Sequence, residues 1–317
     1  MNVIGRASDL RKYFPIGKSL FGREEKFVKA VDGVDIDVYE GEMHSLVGET
    51  GSGKTTIGKL FTGLLTPTSG RILIDGKELA STNKREMRSI RTKVQMIFQD
   101  PYASLDPRFT VRQSVEEPLN LNKASHGADY VKELLEEAGL FPAADFLNRY
   151  PHQLSGGQRQ RVAVARGLAL RPKFIIADEP VSMLDVSIRA DFLKLMKKLT
   201  RVHKTSFLLI THDLSSASYV GGRISVLYLG KVVETGSQKE LVSDPLHPYT
   251  QALMQAIPTL GKRITEAKIK GEIPNSADIP SGCRFHPRCL FATEKCTREE
   301  PELKLIARDH SVACHLY

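Results

Sequence analysis

The 317-residue sequence has no apolar run long enough to cross a bilayer. Its longest runs, such as Phe174–Ala177 and Phe207–Ile210, fall far short of the roughly 20 residues a spanning helix needs. Met1–Leu10 contains Asp9 and lacks an apolar core ending in small residues, so no secretory signal is expected there. Cysteine is missing from the first 282 positions; Cys283, Cys289, Cys296 and Cys314 all fall in the last 35 residues, which points to one local site. No internal repeat, low-complexity tract or sustained heptad pattern is present. Nor is charge of one sign massed in a block. The excess of 45 Lys and Arg over 37 Asp and Glu, a net +8, is spread along the chain, which favours a solvated surface over a nucleic-acid footprint.

A hydrophobic content of 41% is enough for a packed core, and 26% charged residues excludes a disordered polar tract or a membrane-embedded chain. At about 150 residues per domain the length suggests roughly two folding units. Short apolar strands alternate with helical stretches, the signature of an α/β unit with a mainly parallel sheet. Four strands anchor it: Met43–Val47 runs into a glycine-rich turn, Val94–Phe98 ends at Gln99, Phe174–Ala177 at Asp178 and Glu179, and Ser206–Ile210 at Thr211 and His212. Ligands of open α/β sheets bind beyond the carboxyl ends of the strands, so four strands finishing in reactive side chains imply one shared site. Ala128–Ala138 and Phe192–Leu199 have helical periodicity, and Ile224–Leu229 with Val232–Glu234 reads as a hairpin. From Gln99 to Arg149 a mostly helical insertion is expected. Beyond about residue 260, repeated Gly and Pro predict a loop-rich appendage stapled by its cysteines.

The sequence Gly48-Glu49-Thr50-Gly51-Ser52-Gly53-Lys54-Thr55, followed by Thr56, fits G-x-x-x-x-G-K-[ST] between a strand and a helical stretch. Glycines let backbone N–H groups turn in around phosphates, Lys54 reaches the outer phosphates, and the Thr55 hydroxyl can coordinate Mg²⁺. Asp178 can hold Mg²⁺ through water, and the adjacent Glu179 can orient an attacking water. His212 can bond a γ-phosphate and position water. Gln99 becomes a candidate ligand of Mg²⁺ or water only in this company.

Leu154-Ser155-Gly156-Gly157-Gln158 opens another helical stretch and offers a hydroxyl and backbone N–H groups to an anion. With this segment the sequence closely resembles the ATP-binding cassette (ABC) ATPases over about residues 8–258. Gly48–Thr55 looks like the Walker A loop, Gln99 the Q-loop, Leu154–Gln158 the signature, Phe174–Glu179 Walker B, Ser182–Asp185 the D-loop and His212 the switch histidine. The resemblance implies an α/β P-loop NTPase fold. An ABC-type nucleotide-binding domain at 1–260 would carry an antiparallel β subdomain and a helical subdomain at about 100–165, followed by a small loop-rich cysteine region at 261–317. It implies binding and hydrolysis of ATP with Mg²⁺ held by Thr55, Gln99 and Asp178. Two such subunits, identical or different, would sandwich two ATP molecules, each signature segment serving the partner's site, with Asp185 of the D-loop among the nucleotide-binding residues. Tyr13 would stack on adenine, with Phe14 as the fallback, because Gly17–Glu25 resembles a basic insertion that lengthens the spacing to Gly48.

Asp244–Thr250, Gly282–Cys289, Cys296 and His310–Cys314 narrow the resemblance to the ATPases of oligopeptide/dipeptide importers, with a related oligosaccharide branch. The cysteines are spaced C-x5-C-x6-C-x17-C, and four thiolates can hold Zn²⁺ or a [4Fe-4S] cluster. Spacing does not separate these; the resemblance implies the iron–sulfur cluster, and two disulfides are disfavoured in a reducing compartment. The expected partners are a second ATPase subunit, two transmembrane permease subunits and, indirectly, an extracytoplasmic solute-binding protein, at the cytoplasmic face of the membrane. Nucleic acid is not an expected partner: soluble cassette proteins that act on it carry long coiled coils or paired cassettes, and this sequence has neither.

Overall fold

The computed structural model describes residues 2–16, 26–256, 269–272 and 274–317. The Gly17–Glu25 insertion and the boundary near residue 260 fall outside these residues. The described strands are β1 (Val3–Ile16), β2 (Lys26–Tyr39), β3 (Met43–Val47), β4 (Ser69–Ile74), β5 (Lys77–Glu78), β6 (Val94–Ile97), β7 (Phe174–Asp178), β8 (Ser206–Thr211), β9 (Arg223–Tyr228), β10 (Lys231–Ser237), β11 (Lys304–Ala307) and β12 (His310–Val312).

They form two sheets, one ordered β2-β1-β4-β5 and the other β11-β12-β10-β9-β3-β8-β7-β6. In the larger sheet β6, β7, β8, β3 and β9 are parallel neighbours. Every residue of β3, β7 and β8 is buried, as expected of strands covered on both faces; β7 and β8 are near-continuous apolar runs for that reason, whereas β3 buries His44 and Ser45 among its apolar residues. The register sets Val47 opposite Thr211 and Asp178 opposite Ile210, so the carboxyl ends of these three strands lie level.

The smaller sheet is antiparallel where its register is defined, and β1 pairs with both β2 and β4. Its apolar face closes on the helix Lys54–Phe61 and the upper face of the larger sheet, with Phe61 and Phe174 in edge contact at 5.8 Å. Below the sheet a second core joins Ile175, Phe207 and Leu209 to the segment between β6 and β7. That segment is helical as expected, with Val111–Asn122, Tyr130–Glu137 and Gly156–Leu168 packed through Val115, Leu119, Leu134, Leu135 and Val162.

The C-terminal region is loop-rich, and it is joined to the cassette. β12 pairs antiparallel with β10 and extends the main sheet, and Phe285 enters a third core with Tyr228 and Tyr249. At its anchor, the fully buried Glu234 accepts hydrogen bonds from the N–H groups of Leu246 and His247, both at 2.9 Å, and pairs with His310 Nε2 at 2.7 Å. Glu234→Ala leaves two buried N–H donors and an imidazole without an acceptor. The expected cost is about 3 kcal/mol, read as a lower urea midpoint with faster amide exchange in β12. An unchanged midpoint would contradict the anchor.

Burial also keeps two imidazoles neutral, pushing His44 down to about 4 and His247 to about 3. The unfolded chain takes up these protons near pH 6.5. The stability tied to these neutral rings is therefore complete above pH 6.5 and drains away as the pH falls through about 4. In His44→Gln, urea midpoints measured between pH 7 and 5 should fall less steeply than in the wild type; an equal slope would refute this account.

Candidate functional site

The turn after β3 is shaped by close backbone contact. A Cβ on Gly48 would stand 2.2 Å from the Leu227 carbonyl oxygen, and one on Gly53 2.1 Å from that of Ala30. Gly53 also has φ 105°, a left-handed conformation that side chains resist. The loop is thereby seated between β9 and β2. Thr50 and Gly51 are exposed at its tip, while Ser52 is buried and its carbonyl accepts the Gly230 N–H at 2.9 Å. The helix Lys54–Phe61 begins without a side-chain cap, leaving first-turn N–H groups and a favourable dipole for an anion, and Thr56 lies in that first turn.

Lys54 is buried, and its ammonium donates to the carbonyls of Gly48 (2.7 Å) and Glu49 (2.8 Å). Burial lowers its pKa, against the opposing charges of Glu179, Asp178 and Glu49. The Thr55 hydroxyl donates to Asp178 at 3.0 Å. Burial raises the Asp178 pKa, although the bond from Thr55 works the other way.

Glu179 has φ 44°, and its N–H is held by the Ile210 carbonyl at 2.8 Å. The strained turn aims its carboxylate between two neighbouring strand ends. Gln99 Nε2 donates to it at 3.1 Å, and His212 Nδ1 lies 3.1 Å from the same oxygen. Side chains following β6, β7 and β8 thus meet at one carboxylate, beside the Thr55–Asp178 pair.

Ser155, Gly156, Gly157 and Gln158 lie at the start of a different helix. Ser155 and Gln158 cap each other, the Ser155 hydroxyl accepting from the Gln158 N–H at 3.3 Å and the Gln158 side chain from the Ser155 N–H at 3.0 Å. A Cβ on Gly156 would meet nothing within 4 Å, and one on Gly157 would stand 3.0 Å from Ile188. Asp185 is exposed at the head of the helix Val186–His203. The hydroxyl of Tyr13 donates to Asp32, and burial followed by that bond pushes its pKa up to about 12. Lys29 lies over the Tyr13 ring at 5.7 Å and Lys12 over Phe14 at 5.2 Å.

Three residues escaped the sequence reading. Arg288 makes a two-point ion pair with Glu49, at 2.7 and 3.1 Å. The Tyr249 hydroxyl accepts the Glu49 N–H at 2.9 Å, and Arg284 donates to Asp32 and the Leu229 carbonyl. Arg288 and Glu49 are 239 positions apart, and nothing local in either segment signals their meeting.

The cysteine assignment is corrected. Among the described residues, no group of three or more His, Cys, Asp or Glu is arranged to hold a metal ion. This overturns the iron–sulfur cluster expected at Cys283, Cys289, Cys296 and Cys314, and leaves the zinc alternative without support. All four are free. Cys283 and Cys289 pack against the third apolar core, the Phe291 N–H donates to Cys289 Sγ at 3.3 Å, and the Thr293 hydroxyl lies 3.4 Å from Cys296 Sγ. Burial pushes the Cys283 thiol up to about 11 and raises Cys289 and Cys314, favouring neutral thiols that pack as small apolar groups.

Residues 31–182 match the ABC transporter family, and residues 233–296 match the C-terminal region of oligopeptide/dipeptide transporters. The oligopeptide transport ATP-binding protein AppF of Bacillus subtilis (strain 168) is 46% identical over 98% of this chain and 96% of its own length. The dipeptide transport ATP-binding protein DppF of Haemophilus influenzae is 42% identical over 99% and 95%. Among solved structures, the dimeric post-hydrolysis state of the ATP-binding cassette MJ0796, bound to ADP and Pi, superposes with a TM-score of 0.64 at 32% identity, covering 74% of this chain and 98% of that one.

The loop geometry yields a direct test. Gly53→Ala drives a Cβ into the Ala30 carbonyl at a left-handed φ, and the melt should show a loss of at least about 2 kcal/mol. Wild-type stability in that variant would show that the loop can move away from β2.

Proposed function

Because the chain belongs to the ABC transporter ATPases, in their oligopeptide/dipeptide branch, we propose that it hydrolyses ATP to power uptake of peptides through membrane-embedded partner subunits. One observation carries this reading: Gln99, Glu179 and His212 gather at one carboxylate beside Lys54 and the Thr55–Asp178 pair.

The loop Gly48–Thr55 binds the phosphates, with Lys54 giving up its contacts to loop carbonyls for the outer phosphate oxygens. The donor set fits a divalent cation: Thr55 and Asp178 supply oxygen ligands side by side, and Gln99, bonded to the adjacent Glu179, is the candidate third ligand. Mg²⁺, when bound, supplies charge neutralisation of the phosphates. Glu179 orients the attacking water and accepts the proton it loses as its oxygen bonds to the γ-phosphorus, and His212 steadies the γ-phosphate side of that water. Tyr13 offers its ring to adenine, its orientation fixed by the bond to Asp32. Ser155–Gln158 and Asp185 serve the ATP of a second ATPase subunit, a role supported by the open approach to Gly156.

Docking to the permease subunits falls on a groove between the β6 edge and the helical segment. The groove encloses about 300 Å³ and includes exposed Leu64, Phe98 and Leu121. Among the described residues no helix is long and apolar enough to cross a membrane. The proposed attachment is peripheral, at the cytoplasmic face of the membrane, and a solute-binding protein contributes only through the permease.

The test is Glu179→Gln. It should keep ATP affinity, lower turnover at least about 100-fold and trap an ATP-bound dimer on gel filtration, whereas Lys54→Ala should lose binding itself. Hydrolysis by Glu179→Gln at the wild-type rate would remove Glu179 from this role.

A further inference from the structure

The phosphate-binding loop contains a carboxylate where an anion site tolerates one poorly. Glu49 is the second residue of the loop, and its charge is one of those felt by Lys54. A polyphosphate approaching Lys54 meets that charge too. The structure answers it from the far end of the chain. Arg288, whose side chain is only 8% exposed, holds both Glu49 carboxylate oxygens in a two-point ion pair. This geometry fixes direction as well as charge. The Glu49 backbone is fixed separately, because its N–H donates to the hydroxyl of the fully buried Tyr249. Tyr249 is wedged against Tyr228 at 4.8 Å and Phe285 at 5.4 Å, and Phe285 belongs to the same short segment as Arg288.

A second arm of this segment reaches the other side of the loop. Arg284 donates to Asp32 and to the Leu229 carbonyl. The Asp32 N–H donates to the Gly230 carbonyl, and the Gly230 N–H donates to Ser52, both at 2.9 Å. Asp32 also accepts the Tyr13 hydroxyl. Burial alone would raise the Asp32 pKa, but the bonds from Tyr13 and Arg284 hold it below its ordinary value, so the arm keeps its charge. The segment Cys283–Cys289 therefore grips the loop at Glu49 and, through the β9–β10 turn, at Ser52.

We propose that Arg288 is a positioning residue for nucleotide binding, neutralising Glu49 and fixing the entry of the phosphate-binding loop, so that the C-terminal region sets the affinity of the cassette for ATP. The inference rests on the reading of Gly48–Thr55 as an ATP site. It predicts an effect on binding and not on the chemical step, because Arg288 contacts neither Glu179 nor His212.

The experiment titrates ATP into the full-length chain, with Lys54→Ala as the control for the site itself. Arg288→Gln should weaken ATP binding about tenfold, raising KM while kcat at saturating ATP stays within about twofold. Glu49→Gln should bind ATP more tightly than the wild type, because Arg288 then faces the loop with its charge uncompensated. The double variant Glu49→Gln/Arg288→Gln should return to within about twofold of wild-type affinity, a coupling that a merely structural arginine would not show. Unchanged affinity in Arg288→Gln, or a double variant as weak as the single one, overturns the proposal. If Arg288→Gln fails to fold, Glu49→Gln decides alone, and equal or weaker binding by that variant overturns it. Wild-type protein that binds no ATP, or binds it as well after Lys54→Ala, overturns the nucleotide reading and this inference together.

Discussion

Backbone contact at the phosphate-binding loop is the constraint on which the rest of the molecule depends. Gly48 lies against the carbonyl of Leu227 in β9, and Gly53 against that of Ala30 in β2, with no room for a side chain at either point. The Ser52 carbonyl takes the Gly230 N–H, and the Gly230 carbonyl takes the N–H of Asp32. The stretch Gly48–Gly53 of this loop is thus braced by both sheets and by the β9–β10 turn. It holds its shape only when these parts are assembled, and the same contacts hold the smaller sheet over the larger one.

The charges around that loop follow the same logic. Burial disfavours the ammonium of Lys54 and the carboxylate of Asp178, and each is compensated by neighbours: Lys54 by carbonyl oxygens and three acidic residues, Asp178 by the Thr55 hydroxyl. At Glu179 the cost is in the backbone, where a left-handed conformation without glycine is of order 1 kcal/mol. The Ile210 carbonyl and the Ser182 N–H and hydroxyl brace that turn on either side. Because β7 is flanked by β6 and β8, the turn delivers the carboxylate between Gln99 and His212. Strand order and a single strained residue together create the cluster.

The strands ending in Thr211 and Asp178 were legible because central parallel strands are nearly all apolar and stop abruptly at polar residues, and β3, which carries buried His44 and Ser45, was legible from the glycine loop that follows it. The helical segment was legible for the complementary reason, since Val131, Leu134 and Leu135 repeat at helical spacing. From the residues themselves β1 and β2 were not. Each runs for 14 residues, one face lies towards solvent, and charged residues such as Arg6, Asp9, Arg11, Asp35 and Asp37 are interspersed with the apolar ones. Their pairing also contains several register shifts, which break the alternation that marks a strand. Only the family resemblance supplied an antiparallel subdomain. Contacts such as Arg288–Glu49 and Arg284–Asp32 were invisible because a salt bridge across more than 200 positions leaves no periodic trace.

The cysteines show why a local argument failed at the C-terminus. The 57 residues of 261–317, broken by Gly and Pro, bury little apolar surface by themselves, and a separate unit of that size calls for a metal or a covalent staple. That inference holds only if the unit is separate. Here β12 takes its hydrogen bonds from β10, Phe285 packs among the aromatic rings of the cassette, and Glu234 on β10 binds His310 in the tail. Two further ion pairs tie Arg284 and Arg288 to Asp32 and Glu49. The apolar surface that covers Cys283 and Cys289 is therefore largely the cassette's own. Sequence shows how much apolar surface a segment has, whereas its stability depends on how much it can share. For this segment the shared surface borders the phosphate-binding loop, so the contacts that stabilise the tail also restrain the nucleotide site.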